Sequence, residues 1–166
     1  MPIVYGLAVL ALLGLSHYYA LLLLARVLGI DEAGERSDGT RRLVLLTFLG
    51  LAATHMAQIA ALALAFLLGE EFLWSHEVIA AQADGWWDYH YLAFMTFTTL
   101  GYGPQVIEGP IRIVVGASAL GGFMLITWSA TFLYDVSRKV TDFGLESDDD
   151  AEEDRNREPR ARARQA

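Results

Sequence analysis

Charge is absent from three long stretches of this chain, residues 2–25, 43–69 and 113–134. Each exceeds the roughly 20 residues a helix needs to cross the hydrocarbon of a bilayer. The pattern predicts a first transmembrane helix over 1–28, its apolar run interrupted by Ser16-His17-Tyr18-Tyr19. This stretch lacks a basic start and its apolar run is too long for a cleaved leader. A polar loop over 29–42 turns the chain back. The second span, 43–69, carries alanine at 52, 53, 57, 60, 61, 63 and 65, and small residues let membrane helices approach closely. Residues 70–87 are expected to form a turret outside the hydrocarbon. Residues 88–98 are aromatic but too few to span, so they predict a re-entrant half-helix, with Asp84 or Asp88 available as its N-cap. The third span, 111–136, has Ala117/Gly121 and Ser118/Gly122 four residues apart, a spacing that suits close crossing. Residues 137–166, first acidic and then rich in arginine, read as a disordered charged tail.

Composition agrees with that pattern. Of 166 residues 54% are hydrophobic, which points to an all-α integral membrane protein with three transmembrane helices, a re-entrant helix and a loop behind it. With no cysteine, disulfides and thiolate metal sites are excluded. No nucleic-acid partner is expected. Arg26, Arg36, Arg41 and Arg42 lie between the first two spans, and Arg138, Lys139 and the arginines of the tail follow the last. Only Arg112 falls between the second and third. The positive-inside rule then places the short loop and the tail in the cytoplasm and the N-terminus outside. The expected location is the plasma or inner membrane, with several passes.

Behind the half-helix stands Thr98-Thr99-Leu100-Gly101-Tyr102-Gly103. Repeated around an axis, such a strand offers rings of backbone carbonyls that replace the water shell of a dehydrated cation. Carbonyls that all turn inward demand unusual dihedrals, hence glycine at 101 and 103. Thr99 adds a hydroxyl at the inner mouth, while Leu100 and Tyr102 are expected to pack behind the strand. The C-terminal end of the half-helix would present the negative end of its dipole to the cation. One strand per chain cannot enclose an ion, so a homotetramer is expected.

From about 43 to 136 the chain resembles the pore domain of potassium channels: outer helix 43–69, turret 70–87, pore helix 88–98, filter 99–103 and inner helix 111–136. It is most similar to small bacterial ion-channel proteins with an extra N-terminal transmembrane helix, through Gly122-Phe123-Met124-Leu125-Ile126-Thr127-Trp128-Ser129-Ala130-Thr131. The resemblance implies passive, potassium-selective conduction. The ion would be held by the carbonyls of Thr99, Leu100, Gly101 and Tyr102 and by the Thr99 hydroxyl, with Gly103, Thr98, Thr96 and Tyr91 supporting the filter. Two departures stand out. Pro104 occupies the place of the usual aspartate, and Met95 and Tyr91 lie near the positions of the glutamate or tryptophan that braces it. A weakly selective cation channel is the corresponding alternative.

Other residues carry further expectations. The inner helix predicts a water-filled cavity lined by Thr127, Ser129, Ala130 and Thr131, and a constriction near 132–136. The Gly121-Gly122 doublet reads as a gating hinge, or as a packing contact with the pore helix. His17 and His55 sit at similar depth in antiparallel spans. They read as interhelical hydrogen-bonding groups with Tyr18, Tyr19, Thr54 or Gln58 as partners, or as the haem ligands or pH sensor of a non-conducting redox or sensor protein. Glu70, Glu71, Glu77, Asp84, Asp88 and Glu108 suggest an acidic crown that concentrates cations. No span repeats arginine at every third position, and the tail is too short for a regulatory domain, so neither a voltage sensor nor a ligand-binding module is expected. No enzymatic activity and no cofactor are expected. Potassium is cargo, and the lipid bilayer is the other partner.

Overall fold

The computed structural model describes the backbone of residues 1–30, 40–74, 85–101, 109 and 111–163, and side chains within 1–30, 42–73, 85–101, 109 and 111–139. Among these residues the chain is helical: α1 (Pro2–Leu28), α2 (Thr40–Gly69) continuing into a π-helical turn (Glu70–Trp74), α3 (Trp86–Phe97) and α4 (Ile111–Ala163). Three of these, spanning Pro2–Leu28, Arg42–Leu73 and Ile111–Lys139, are long and apolar enough to cross a membrane. The protein is a membrane protein.

The expected elements are present with shifted ends. The short helix begins at Trp86 and ends at Phe97, with Thr98 as its C-cap. Its N-cap is Gly85, without a side-chain cap, so Asp88 falls in the first turn instead, where its charge suits the positive end of the helix dipole. The residues expected to begin the turret extend α2 by a π turn. The largest difference is at the C-terminus, where the helical backbone continues to Ala163 although a disordered tail is expected. Low apolar content argues against burial, not against helix. Glutamate, arginine and alanine are good helix formers.

Contacts along the helices set their directions. Tyr5 of α1 donates to the carbonyl of Ala65 in α2 at 2.7 Å, and further along Leu24 meets Gly50, so α1 and α2 are antiparallel. Gly6 packs on Val114 and Ala117, and His17 reaches Ser129, so α1 and α4 run parallel. The most extensive interhelical packing is that of α1 on α4, followed by α2 on α3. The core collects at the end of the bundle where α3 enters. Phe66, Leu62, Ala93, Phe97, Ile111 and Val114 are almost completely buried there. With 12 residues, α3 extends about 18 Å, only part of the way through a bilayer. Outside this core the helices expose large apolar side chains such as Leu15, Phe48, Met56 and Phe123, as expected of surfaces that face lipid or another membrane helix.

Candidate functional site

The C-terminal end of α3 terminates abruptly. Thr98 donates its amide to the carbonyl of Phe94 at 3.0 Å and its hydroxyl to the same oxygen at 2.7 Å. The amide of Thr99 then reaches the carbonyl of Thr96, and that of Leu100 the carbonyl of Met95, each at 3.1 Å. This pair of bonds is the Schellman arrangement, which needs a left-handed residue and usually takes glycine there. Here the residue is Thr99, at φ 56°. A β-branched side chain in that region is strained by roughly 1–2 kcal/mol, and such strain clusters at functional sites. Gly101 is left-handed again, at φ 61°, and Leu100 between them is not. Tyr102, Gly103 and Pro104 lie outside the described residues, as do Glu77, Asp84 and Glu108 of the acidic segment. Leu100 is 65% exposed, so the packing expected behind it is not made among the described residues. Thr96 is buried, whereas Tyr91 lies on an exposed face of α3.

The rest of α3 is held from two sides. Gly122 of α4 passes so close to the end of α3 that a Cβ would stand 2.7 Å from the Phe97 Cα and nearer still to its carbonyl oxygen. Gly121, next to it, faces Leu10 of α1. At the other end the Tyr89 hydroxyl donates to Oε2 of Glu70 at 2.8 Å. Glu70 is buried, not part of an exposed crown. Burial, with the hydrogen bond to Glu70 and the nearby carboxylates, pushes the Tyr89 hydroxyl well above the usual tyrosine range. Sequence reasoning missed this brace. Its one signal was a carboxylate at the end of an otherwise uncharged span.

A family model described as an ion channel matches residues 52–139, just over half of the chain, and it is the two-span, potassium-channel-like kind. The chain belongs to the ion channel family. Neither the curated proteins nor the solved structures hold a match to it. The matched stretch takes in most of α2, all of α3 and the membrane part of α4, while α1 lies before it.

On the ion channel's α4, Thr127, Ala130 and Thr131 are exposed and share a face. The two threonine hydroxyls donate to the carbonyls of Phe123 and Thr127, at 2.9 and 3.2 Å. Ser129 does not belong with them. It is buried against α1, with its hydroxyl 3.3 Å from Nε2 of His17, because α1 covers that side of α4. Phe132 and Val136, expected at a lower constriction, line a cleft of about 440 Å³ with Ala25 of α1 and Ile30 just past its end.

The two intramembrane histidines meet. His17, fully buried, stacks on His55 with ring centroids 5.5 Å apart and planes within 17°. Gln58 lies between their Nδ1 atoms. Its Oε1 is 3.2 Å from that of His55, and its Nε2 is 3.3 Å from that of His17 and also near the Leu13 carbonyl and the Ser16 hydroxyl. The expected interhelical hydrogen bonding is therefore present, with Gln58 as the partner. Thr54 instead donates to Gly50 of its own helix, and Tyr18 and Tyr19 face outward. Stacked rings bonded to one amide differ from a pair of haem ligands, whose nitrogens must point at each other with a macrocycle between them.

Proposed function

We propose that this ion channel conducts potassium passively, as a homotetramer with one filter strand from each chain. The observation that carries the reading is the backbone at the end of α3. Thr99 and Gly101 are both left-handed with Leu100 not so between them, inside the motif Thr99-Leu100-Gly101-Tyr102-Gly103. Alternating the sign of φ turns successive peptide planes to the same side, where an ordinary strand alternates them. Carbonyls of Thr99, Leu100, Gly101 and Tyr102, with the Thr99 hydroxyl, then take the place of water around the ion. The negative end of α3 lies just behind them. Repulsion between ions in line keeps exit fast, and no bond is made or broken. The cation needs no resident cofactor beside it.

Four strands around one axis also account for the exposure of Leu100, which a neighbouring subunit would cover. Thr127, Ala130 and Thr131 on the open face of α4 would line the cavity beneath. The N-terminus would lie outside a plasma or inner membrane and the C-terminus in the cytoplasm. Arginine placement supports this, as do the parallel α1 and α4, which put the basic ends of both helices at one face. The test is potassium flux from liposomes under a potassium gradient, repeated with sodium. Flux that is fast for potassium and slow for sodium supports the reading. Equal fluxes leave a weakly selective cation channel, the alternative to which Pro104 points, and absent flux refutes conduction.

A further inference from the structure

The histidine cluster lies beside the candidate filter, not at a remote place in the bundle. The ring of His55 meets that of Phe97 at 5.4 Å between centroids and 60° between planes. Phe97 is the last residue of α3, is 1% exposed, and has Gly122 against its backbone on the α4 side. We propose that His17, Gln58 and His55 form a site for a single proton that positions the end of α3, making α1 a working part of the pore. The consequence for conduction rests on the potassium-channel reading; the site itself does not.

Hydrogen bonding assigns the neutral state. The Gln58 amide nitrogen only donates, so Nδ1 of His17 accepts and its proton is on Nε2, which donates to the Ser129 hydroxyl. The Gln58 oxygen only accepts, so Nδ1 of His55 carries that ring's proton and Nε2 has a bare lone pair. One added proton on Nε2 of His55 leaves every bond in place. A proton on Nδ1 of His17 would set N–H against N–H. The amide would then have to turn over, which takes the acceptor away from His55. The two rings are too close for both to be charged, since repulsion between them is weakly screened away from water.

Among the described residues the surroundings contain no competing charge. Leu13 and Ser16 of α1, Gln58 of α2, Phe97 of α3, and Ser129 and Trp128 of α4 surround the pair. Among the described residues the titratable group facing each imidazole is the other imidazole. A cation placed on His55 is therefore met by polar and aromatic contacts alone, and it alters the ring contact with Phe97, whose backbone has no room to move toward α4. Protonation displaces the end of α3 and with it Thr98 and Thr99. Conduction falls.

Two measurements on the full-length protein in phosphatidylcholine–phosphatidylglycerol liposomes test this. Potassium flux of the parent should fall several-fold as the pH is lowered from about 7.5 to about 4.5. His55→Phe, normalised to its own flux at the higher pH, should give a flat profile. Gln58→Glu, whose carboxylate holds a proton between the rings, should move the fall to higher pH. Nitrogen-15 spectra of histidine-labelled protein with His76→Gln and His90→Gln report the pair directly. They should show one proton taken up per pair, with Nδ1 bare on His17 and protonated on His55 at pH 7.5. A flat parent profile, a His55→Phe profile like that of the parent, or two imidazoles each taking up its own proton would overturn the proposal. A parent that passes no potassium while its spectra show the shared proton upholds the site and refutes the conduction reading instead.

Discussion

Replacing Gly122 with alanine tests the packing of the site most directly. The new methyl would meet the Phe97 backbone at the Cα, carbonyl carbon and carbonyl oxygen, with the Cα only 2.7 Å away. All three atoms are main chain at the end of a helix, so relief requires α3 and α4 to separate. Overfilling a packed contact typically costs about 1–3 kcal/mol. Removing a glycine from a helix interior returns about 0.5–1 kcal/mol. The net expectation is a loss of about 1–2 kcal/mol in stability. Two neighbours calibrate it. In Gly121→Ala the methyl would meet only the side chain of Leu10, nearest at Cδ1 at 2.5 Å, the far end of a flexible group, so the change should be near neutral. In Gly116→Ala nothing lies within 4 Å, and stability should rise. Thermal unfolding of the three variants in detergent gives the order, and single-channel recording in bilayers gives the open probability of each. Packing predicts that Gly122→Ala is the least stable of the three and that its conduction falls with its stability. A pure hinge predicts lowered open probability at unchanged stability and selectivity. Gly122→Ala as stable as Gly116→Ala would refute the close approach of α3 and α4.

Other contacts and dihedrals of the same structure give further outcomes. Tyr89→Phe leaves the buried Glu70 oxygen without its donor and should cost about 1–3 kcal/mol, while Glu70→Gln keeps an acceptor and should cost less; chemical denaturation in mixed micelles ranks them. The raised Tyr89 hydroxyl keeps its proton in the folded state at pH values where the unfolded chain, with an ordinary value of 10.0, loses it. Its stabilisation is therefore full below about pH 10 and lost as pH rises through the folded value, and Tyr89→Phe should unfold with a shallower alkaline dependence. Gly101→Ala forces a side chain into φ 61°, so potassium flux should be lost while circular dichroism stays that of the parent; retained flux would count against that strand as the conducting element. Tyr5→Phe removes the 2.7 Å bond to Ala65 and should lower stability by about 1 kcal/mol without changing ion selectivity, measured by reversal potential.

How much of this was legible in the sequence depended on which physical signal each feature leaves. Long runs without charge mark the spans because charge is what the hydrocarbon rejects, so α1, α2 and the membrane part of α4 were readable to within a few residues. The length of α3 was readable for the same reason, and the left-handed backbone at Gly101 for the dihedrals that glycine permits. The direction each helix faces was not. In water an amphipathic stripe shows which side is buried, but lipid is as apolar as a helix neighbour, and the stripe disappears. Hence Ser129 was expected with Thr127, Ala130 and Thr131, although α1 covers it, and Glu70 was read as exposed, although Tyr89 buries it. Gln58 could be named as a partner for the histidines because a polar group in a span must find one, but its position between both rings depends on helix rotation.

What remains in a membrane sequence to report rotation is small residues and polar ones, and the glycine doublet shows how. Consecutive helix positions lie about 100° apart around the axis, so two adjacent glycines open two different sides of α4. Gly121 admits Leu10 of α1, and Gly122 admits the end of α3. A hinge would need only one weak point, whereas a helix squeezed between two neighbours at the same level needs both. The same level holds Phe97, and through its ring His55 and His17. The doublet, the aromatic contact and the polar cluster thus form one continuous contact from α1 to the end of α3. A change at any point in it should therefore be felt at Thr98 and Thr99 before it is felt at the exposed threonines of α4.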